Sequence, residues 1–348
     1  MQRILLNISG VHVAIESEWR EIIDILSKDF WSFLYKNESN SMTNADMILI
    51  KIHKTGMIPK MPSLVASMQT TNAITYDLGG KRFCDYYGSA YTDIDFKKDI
   101  SNVYGTEFDR VHEISYLLIL SRAGKKLDTL GLHKLHAFAV SFEEVAFVCM
   151  MPSKGGKSTL LIELLKDSRV KMISDDIPLV DTWGRIHAFP LKLGLNEKPK
   201  NFNIDNEAEN LYSMKRAFFG EKFLICTRGL PGKIEKTEKV FDKIILAEAF
   251  RYNSVASLIL DSSWLKTSKG LFKHGVLGLG SPIILEYFWQ TGVRDFVIKS
   301  IIFLLRAFAF GMLGFRAKKI KIYSGKRPDE TAKEIIKYLE HQKRLSLR

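Results

Sequence analysis

The run Gly155-Gly156-Lys157-Ser158-Thr159 holds the residue types that meet phosphate. Two glycines let successive backbone N–H groups point at phosphate oxygens, a lysine supplies a charge for β- and γ-oxygens, and a hydroxyl helps hold Mg²⁺. With Ser153 and Lys154 just before it, the phosphate-facing set reads Ser153, Lys154, Gly155, Gly156, Lys157, Ser158 and Thr159. Two carboxylates, Asp175 and Asp176, follow the next apolar run, where an open parallel sheet places its ligands. They offer a metal ligand and a proton acceptor. The starting assignment gives Mg²⁺ to Ser158 and Asp176 and the base role to Asp175, and the reverse allocation of the two aspartates stays open. His136 stands one strand ahead of the loop, on the approach to the expected γ-phosphate position. The candidate catalytic residues are therefore Asp175, Asp176, His136 and Lys157.

These groups need a scaffold of strand, loop, helix, strand. Val145 to Met150 reads as a buried strand; Leu160, Leu161, Leu164 and Leu165 mark the apolar stripe of a helix from Ser158; Val170 to Ile173 reads as the next strand. Ile177 to Asp181 and Arg185 to Phe189, joined by Thr182-Trp183-Gly184, form a hairpin pattern, and Pro190 to Asn210 reads as an irregular, mobile segment beside the site. One position departs from the usual phosphate loop, because Met151 stands where its first glycine would be. A lone histidine at a strand entrance is commonly structural, and His133 with His136 lacks a cysteine or carboxylate to complete a metal site. Arg251 is a further candidate for a phosphate-facing cation, although a solvated arginine is the usual case.

Ahead of this region, residues 2 to 8 and 11 to 16 alternate around Ser9-Gly10 as a hairpin, and Glu18 to Leu34 follows helical spacing. Thr92 to Gly105 turns polar and is read as a boundary. The expected organisation is an N-terminal α/β module over 1–107, suited to substrate or partner recognition, and a catalytic domain over 108–348. Ser300 to Phe315 is the most apolar run; it contains Arg306, is short for a membrane span and is read as a core helix.

Composition sets outer limits. Hydrophobic residues at 46% and charged residues at 26% exclude a disordered chain. A formal charge of +12 favours acidic ligands, nucleotides or an anionic surface. The excess is spread out with few interleaved aromatics, which weighs against nucleic acid. Basic residues around Lys318 leave a membrane surface as a less favoured partner. Cys84, Cys149 and Cys226 are isolated, and the N-terminus lacks a charged region leading into an apolar core, so a cytoplasmic protein is expected.

The segments LHAFAV, MPSKGGKST, ISDD and IPLVDTWGRIHAFPLKL together resemble the catalytic domain of the HPr serine kinase/phosphorylase family. The likeness is closer to its divergent branch, which includes kinases of lasso-peptide precursors, and it covers about residues 108 to 348. The resemblance implies a P-loop kinase fold related to phosphoenolpyruvate carboxykinase, with ATP and Mg²⁺, and His136 in the place of the family's active-site histidine. It also implies transfer of the γ-phosphoryl group to a hydroxyl, foremost a serine of a peptide or protein, and association into a homo-oligomer. The stretch that HPr-specific members carry after the acidic pair is missing, which turns attention from HPr itself to other acceptors. Two alternatives stand beside this: a kinase of a small hydroxylated metabolite, and a nucleotide-binding regulatory protein without transfer.

Overall fold

A computed structural model describes residues 1–35, 47–57, 65–152, 155–199, 201–216, 220–251, 257–277 and 293–346. The chain is mixed α/β and divides into two compact units. The first comprises the described residues of Met1–Thr129, Tyr212–Phe223 and Pro282–Ile301; the second those of Leu130–Leu211, Leu224–Ser281 and Ile302–Arg348.

In the first unit the alternating N-terminal segments pair as β1 (Gln2–Ile8) and β2 (Val11–Ser17). Their two-residue turn places Ser9 and Gly10 at φ 50° and 90°, the left-handed region that such turns require. Asn7 Oδ1 accepts from Gly10 N at 2.8 Å and closes it. Helix α1 (Arg20–Asp29) buries Ile22, Ile23 and Leu26, as its spacing predicts. Then come β3 (Ile48–Lys54), β4 (Met68–Gln69), β5 (Ile74–Leu78), β6 (Lys81–Asp85), β7 (Ala90–Asp95), β8 (Ile100–Gly105) and helix α2 (Phe108–Thr129). The strands make one sheet in the order β1-β2-β3-β8-β7-β6-β5-β4.

The polar stretch from Thr92 to Gly105 is not a boundary. It is most of the hairpin β7–β8, with Thr92 and Ile94 paired to Val103 and Ser101. Those four side chains are buried, while Asp93 and Asn102 lie on the more open face and hydrogen-bond at 2.9 Å. The charged turn between the strands, where Asp95 Oδ1 accepts from the backbone of Lys97 and Lys98, hides the period-two pattern in the sequence. Helix α2 packs on β8, β2, β3 and α1, so this unit continues past residue 107 to Thr129. A buried polar knot ties it together: Asp29 Oδ2 lies 2.7 Å from His112 Nε2 and Asp29 Oδ1 accepts from Tyr212 Oη at 2.6 Å.

The second unit runs through β9 (Leu132–Lys134), β10 (Phe138–Phe142), β11 (Val145–Met150), α3 (Lys157–Leu165), β12 (Val170–Ser174), β13 (Leu179–Asp181), β14 (Ile186–His187) and β15 (Leu193–Leu195). After α4 (Glu207–Asn210) come β16 (Leu211–Arg216) and β17 (Gly220–Ile225), whose residues Tyr212–Phe223 belong to the first unit; the chain then returns through β18 (Val240–Phe241), β19 (Lys243–Arg251), β20 (Leu258–Asp261) and α5 (Trp264–Leu271). A π-helical turn, Phe272–Val276, extends α5; then follow α6 (Val293–Arg316), whose residues up to Ile301 belong to the first unit, β21 (Lys318–Ser324) and α7 (Pro328–Ser346). The six-stranded sheet has the order β12-β10-β11-β19-β21-β20. Strands β11, β19 and β21 are mutually parallel, whereas β10 runs antiparallel to both of its neighbours. Helices α3 and α7 pack on each other. Ala146, Val148, Met150 and Leu246 form one core with Leu271, Val276, Phe310 and Leu313, so α5, its π-helical extension and α6 line that core.

The hairpin expected around Thr182-Trp183-Gly184 is present as β13–β14. Two other expectations are corrected. Leu191, Lys192, Leu193, Gly194 and Leu195, in the segment read as irregular and mobile, are all buried. The apolar run from Ser300 to Phe315 is only half a core helix: α6 buries Ala309, Phe310 and Leu313 but exposes Leu304, Phe308 and Phe315. Among the described residues, one helix, Asp295–Arg316, is long and apolar enough to cross a membrane.

Candidate phosphate and metal site

Strand direction explains why residues scattered from 136 to 194 can meet. Strand β11 ends at Met150, where the loop begins. Because β10 is antiparallel to β11, its start, and His136 just before it, lie at that same edge of the sheet. Because β12 is antiparallel to β10, its end delivers Asp175 and Asp176 to the edge as well. Backbone hydrogen bonds fix the convergence: Ala137 N donates to Asp176 O at 3.1 Å and Leu135 N to Pro178 O at 3.0 Å.

The loop geometry needs its glycines. Gly156 sits at φ 93° as the residue before α3, and nothing lies within 4 Å of where its Cβ would be. Gly155 N donates to Pro152 O, and a Cβ on Gly155 would approach that oxygen to 2.8 Å. Met151 is buried at 2% exposure, so the departure from glycine places a side chain in the interior rather than in the loop opening. Thr159 is exposed on the first turn of α3. Ser153 and Lys154 lie outside the described residues.

Two groups of contacts form at the helix start. Lys157 Nζ donates to His136 Nε2 at 2.6 Å and lies 3.3 Å from Asp176 Oδ1. An ammonium only donates, so Nε2 is the accepting nitrogen and the ring proton rides on Nδ1. Nδ1 stands 3.2 Å from the same Asp176 oxygen, an ion-pair distance without hydrogen-bond alignment. The second group is neutral to charged: Ser158 Oγ donates to Asp175 Oδ1 at 3.2 Å, and Gly194 N donates to Asp175 Oδ2 at 3.0 Å. Asp175 is buried, whereas the Asp176 side chain is 39% exposed. The structure thus brings together five of the sequence candidates, His136, Lys157, Ser158, Asp175 and Asp176.

Other candidates take other positions. His133 is buried on β9, with its ring 6.4 Å from that of Phe310. Arg251 ends β19, which is parallel to β11, so it lies at the loop edge of the sheet, exposed and three residues beyond the partner of Met150. Cys84, Cys149 and Cys226 are all buried free thiols, and burial pushes the Cys149 thiol up despite the opposing charge of Lys157, which leaves it a packing residue. Among the described residues no group of three His, Cys, Asp or Glu side chains is placed to hold a metal.

Three contributors escape sequence reasoning. His274, in the π-helical turn, accepts from His136 N through its carbonyl at 3.0 Å, and the two rings lie 5.8 Å apart. Gly194 supplies the amide that holds Asp175; its only signal was the apolar run around it. Glu248, paired in register with Met150, is half-buried, and desolvation holds its carboxyl above the usual range against the pull of Lys321, Lys273 and Lys269. The first unit has a polar cleft of about 360 Å³ lined by Tyr86, Arg110, Glu113 and Arg216 among others. Its Arg110 is already committed to Glu113 at 3.1 Å and to the face of Tyr86.

Compared with known proteins, the sequence matches no family model and no curated protein.

Proposed function

We propose that this protein is an ATP-dependent phosphotransferase that moves the γ-phosphoryl group of ATP to a hydroxyl, foremost a serine of a peptide or protein. The observation that carries the reading is the pairing of two carboxylate environments at one helix start: Asp176 beside Lys157 and His136, and Asp175 beside Ser158. Phosphoryl transfer asks for positioned phosphates, a neutralising cation and an acceptor for one proton. The first turn of α3 and the open space over Gly156 suit the phosphates, with Lys157 turning from its local partners toward them.

The donor set also suits Mg²⁺, which binds through a hydroxyl and one or two carboxylates and leaves its other positions to phosphate and water. Ser158 and the buried, amide-held Asp175 are the pair that fits it. This reverses the starting allocation, because a carboxylate already sharing a hydrogen bond with the loop hydroxyl is oriented toward the same ligand. Bound there, the ion would supply positive charge against the negative charge that develops on the phosphate in transfer. Asp176, more exposed and beside an imidazole, is then the proton acceptor. The acceptor hydroxyl oxygen bonds to the γ-phosphorus, the bond from that phosphorus to the β,γ-bridging oxygen breaks, ADP leaves, and the hydroxyl proton passes to Asp176. His136, beside Asp176, positions that carboxylate.

Incubation with γ-labelled ATP, Mg²⁺ and serine-containing peptides tests this. Label on a serine, lost in Asp176→Asn with ATP binding retained, is the expected result. Label moving only to a small polyol would transfer the reading to metabolite kinases. Tight ATP binding with neither transfer nor hydrolysis would make the protein a nucleotide-binding regulator.

A further inference from the structure

From Ile302 on, where α6 belongs to the second unit, the helix is apolar on both sides. Its inward side buries Ile302, Ala309, Phe310 and Leu313 together with Arg306. Its outward side is also hydrocarbon: Leu304, Phe308 and Phe315 fall on one face, each more than half exposed. Ordinary surface helices turn a polar face outward. Helix α5 continues the patch. Phe272 meets Phe303 edge to face at 6.2 Å, Leu265 is 81% exposed, and Trp264 lies over Gly314 so closely that a Cβ there would come within 1.8 Å of its ring. Exposed apolar area of this extent marks an interaction site.

We infer that this face of α5 and α6 docks the protein on an anionic membrane surface, lying in the interface with its apolar side in the acyl boundary. Three features select lipid. That row alone would suit a single partner helix, but Phe303 and Leu305 are also exposed on either side of it and α5 adds Leu265 and Phe272, which is wider than one helix covers. The rim is cationic and aromatic: Lys266, Lys269 and Lys273 are exposed around Trp264, and among the described residues none of them is held in an ion pair. Leu265, Lys269 and Phe272 share one face of the turn, the mixture of apolar body and basic edge that anionic headgroups attract. A symmetric pair of copies through this patch would bring the lysine rims together, whereas the chain's net charge of +12 complements an anionic leaflet. The helix lies on the surface rather than crossing, because Ala309, Phe310 and Leu313 are committed to the protein's own core and Arg306 is buried.

The test is sedimentation of the full chain with vesicles of phosphatidylcholine alone, and of phosphatidylcholine containing about a third phosphatidylglycerol, at low and high salt. We expect binding to the anionic vesicles that weakens with salt. Leu304→Glu with Phe308→Glu should lower the bound fraction about tenfold or more, and Lys266→Glu with Lys269→Glu should remove the preference for anionic lipid. Thermal unfolding of each variant establishes that it is folded. The proposal is overturned if the wild type ignores anionic vesicles at low salt, or if folded Leu304→Glu/Phe308→Glu binds as well as wild type. It is also overturned if light scattering reveals a dimer that those substitutions dissociate while vesicles leave the wild type in solution.

Discussion

Asp175 and Asp176 are neighbours in sequence with different surroundings. Asp175 is buried between the hydroxyl of Ser158 and the amide of Gly194; Asp176 stands half-open beside Lys157 and His136. Two side chains of one chemical type can therefore serve two roles, because each environment fixes what its carboxylate can reach. Replacing Asp176 by Asn should cut transfer by about a hundredfold or more while leaving ATP affinity within a few-fold of wild type, since proton acceptance is needed only in the reaction. Asp175→Asn should instead raise the Mg²⁺ concentration needed for half-maximal turnover. Steady-state rates across a Mg²⁺ titration distinguish the two, and the opposite pattern would swap the assignment. The residue types were legible in the sequence, but their division of labour was not. It depends on Gly194 and on the Lys157–His136 contact, which join positions far apart in the chain.

At the scale of elements, the hairpin β13–β14 shows how a short structure is held. Asp181 accepts from the backbone N–H groups of Trp183 and Arg185 and from the side chains of Arg185 and His187. Burial works to raise its carboxyl pKa, but the hydrogen bonds from His187 and Arg185 prevail and hold it below the usual carboxylate value. A group with a depressed folded pKa contributes stability above its unfolded pKa of about 3.9 and loses it as pH falls through the folded value. Asp181→Asn should therefore be destabilising at neutral pH, with the gap to wild type closing below about pH 4 in urea titrations. Gly184, in the same turn, has φ 76°, and a Cβ there would lie 2.4 Å from Leu313 N in the backbone of α6. Gly184→Ala should cost about 2–4 kcal/mol of unfolding free energy in the same assay, because a helix backbone cannot yield as a flexible side chain does. The sequence revealed this hairpin through its turn residues, yet the contact of Gly184 with α6 bridges elements that no local pattern connects. The hairpin β7–β8 was missed for a related reason: its turn gathers Asp95, Lys97, Lys98 and Asp99, and two of its buried positions are the polar Thr92 and Ser101, so alternation gave way to apparent polarity.

At the scale of the whole molecule, mixed strand directions in one sheet gather the site. A purely local reading found the strand, loop, helix and acidic pair, because each has its own periodicity and punctuation. It placed His136 one strand ahead of the loop, but it could not find that this strand, β10, lies between β11 and β12 and runs antiparallel to both. Nor could it distinguish an apolar helix with a buried face from one with an open face, since α6 satisfies both by composition. The proposed ATP site at this edge stands or falls on Lys157. Calorimetric titration of the full chain with ATP and Mg²⁺, beside Lys157→Ala of unchanged thermal stability, tests it most directly. Saturable binding to wild type and an affinity at least about tenfold weaker in the variant are the expected results. Equal affinity in the two proteins, or no binding to either, would contradict the proposal.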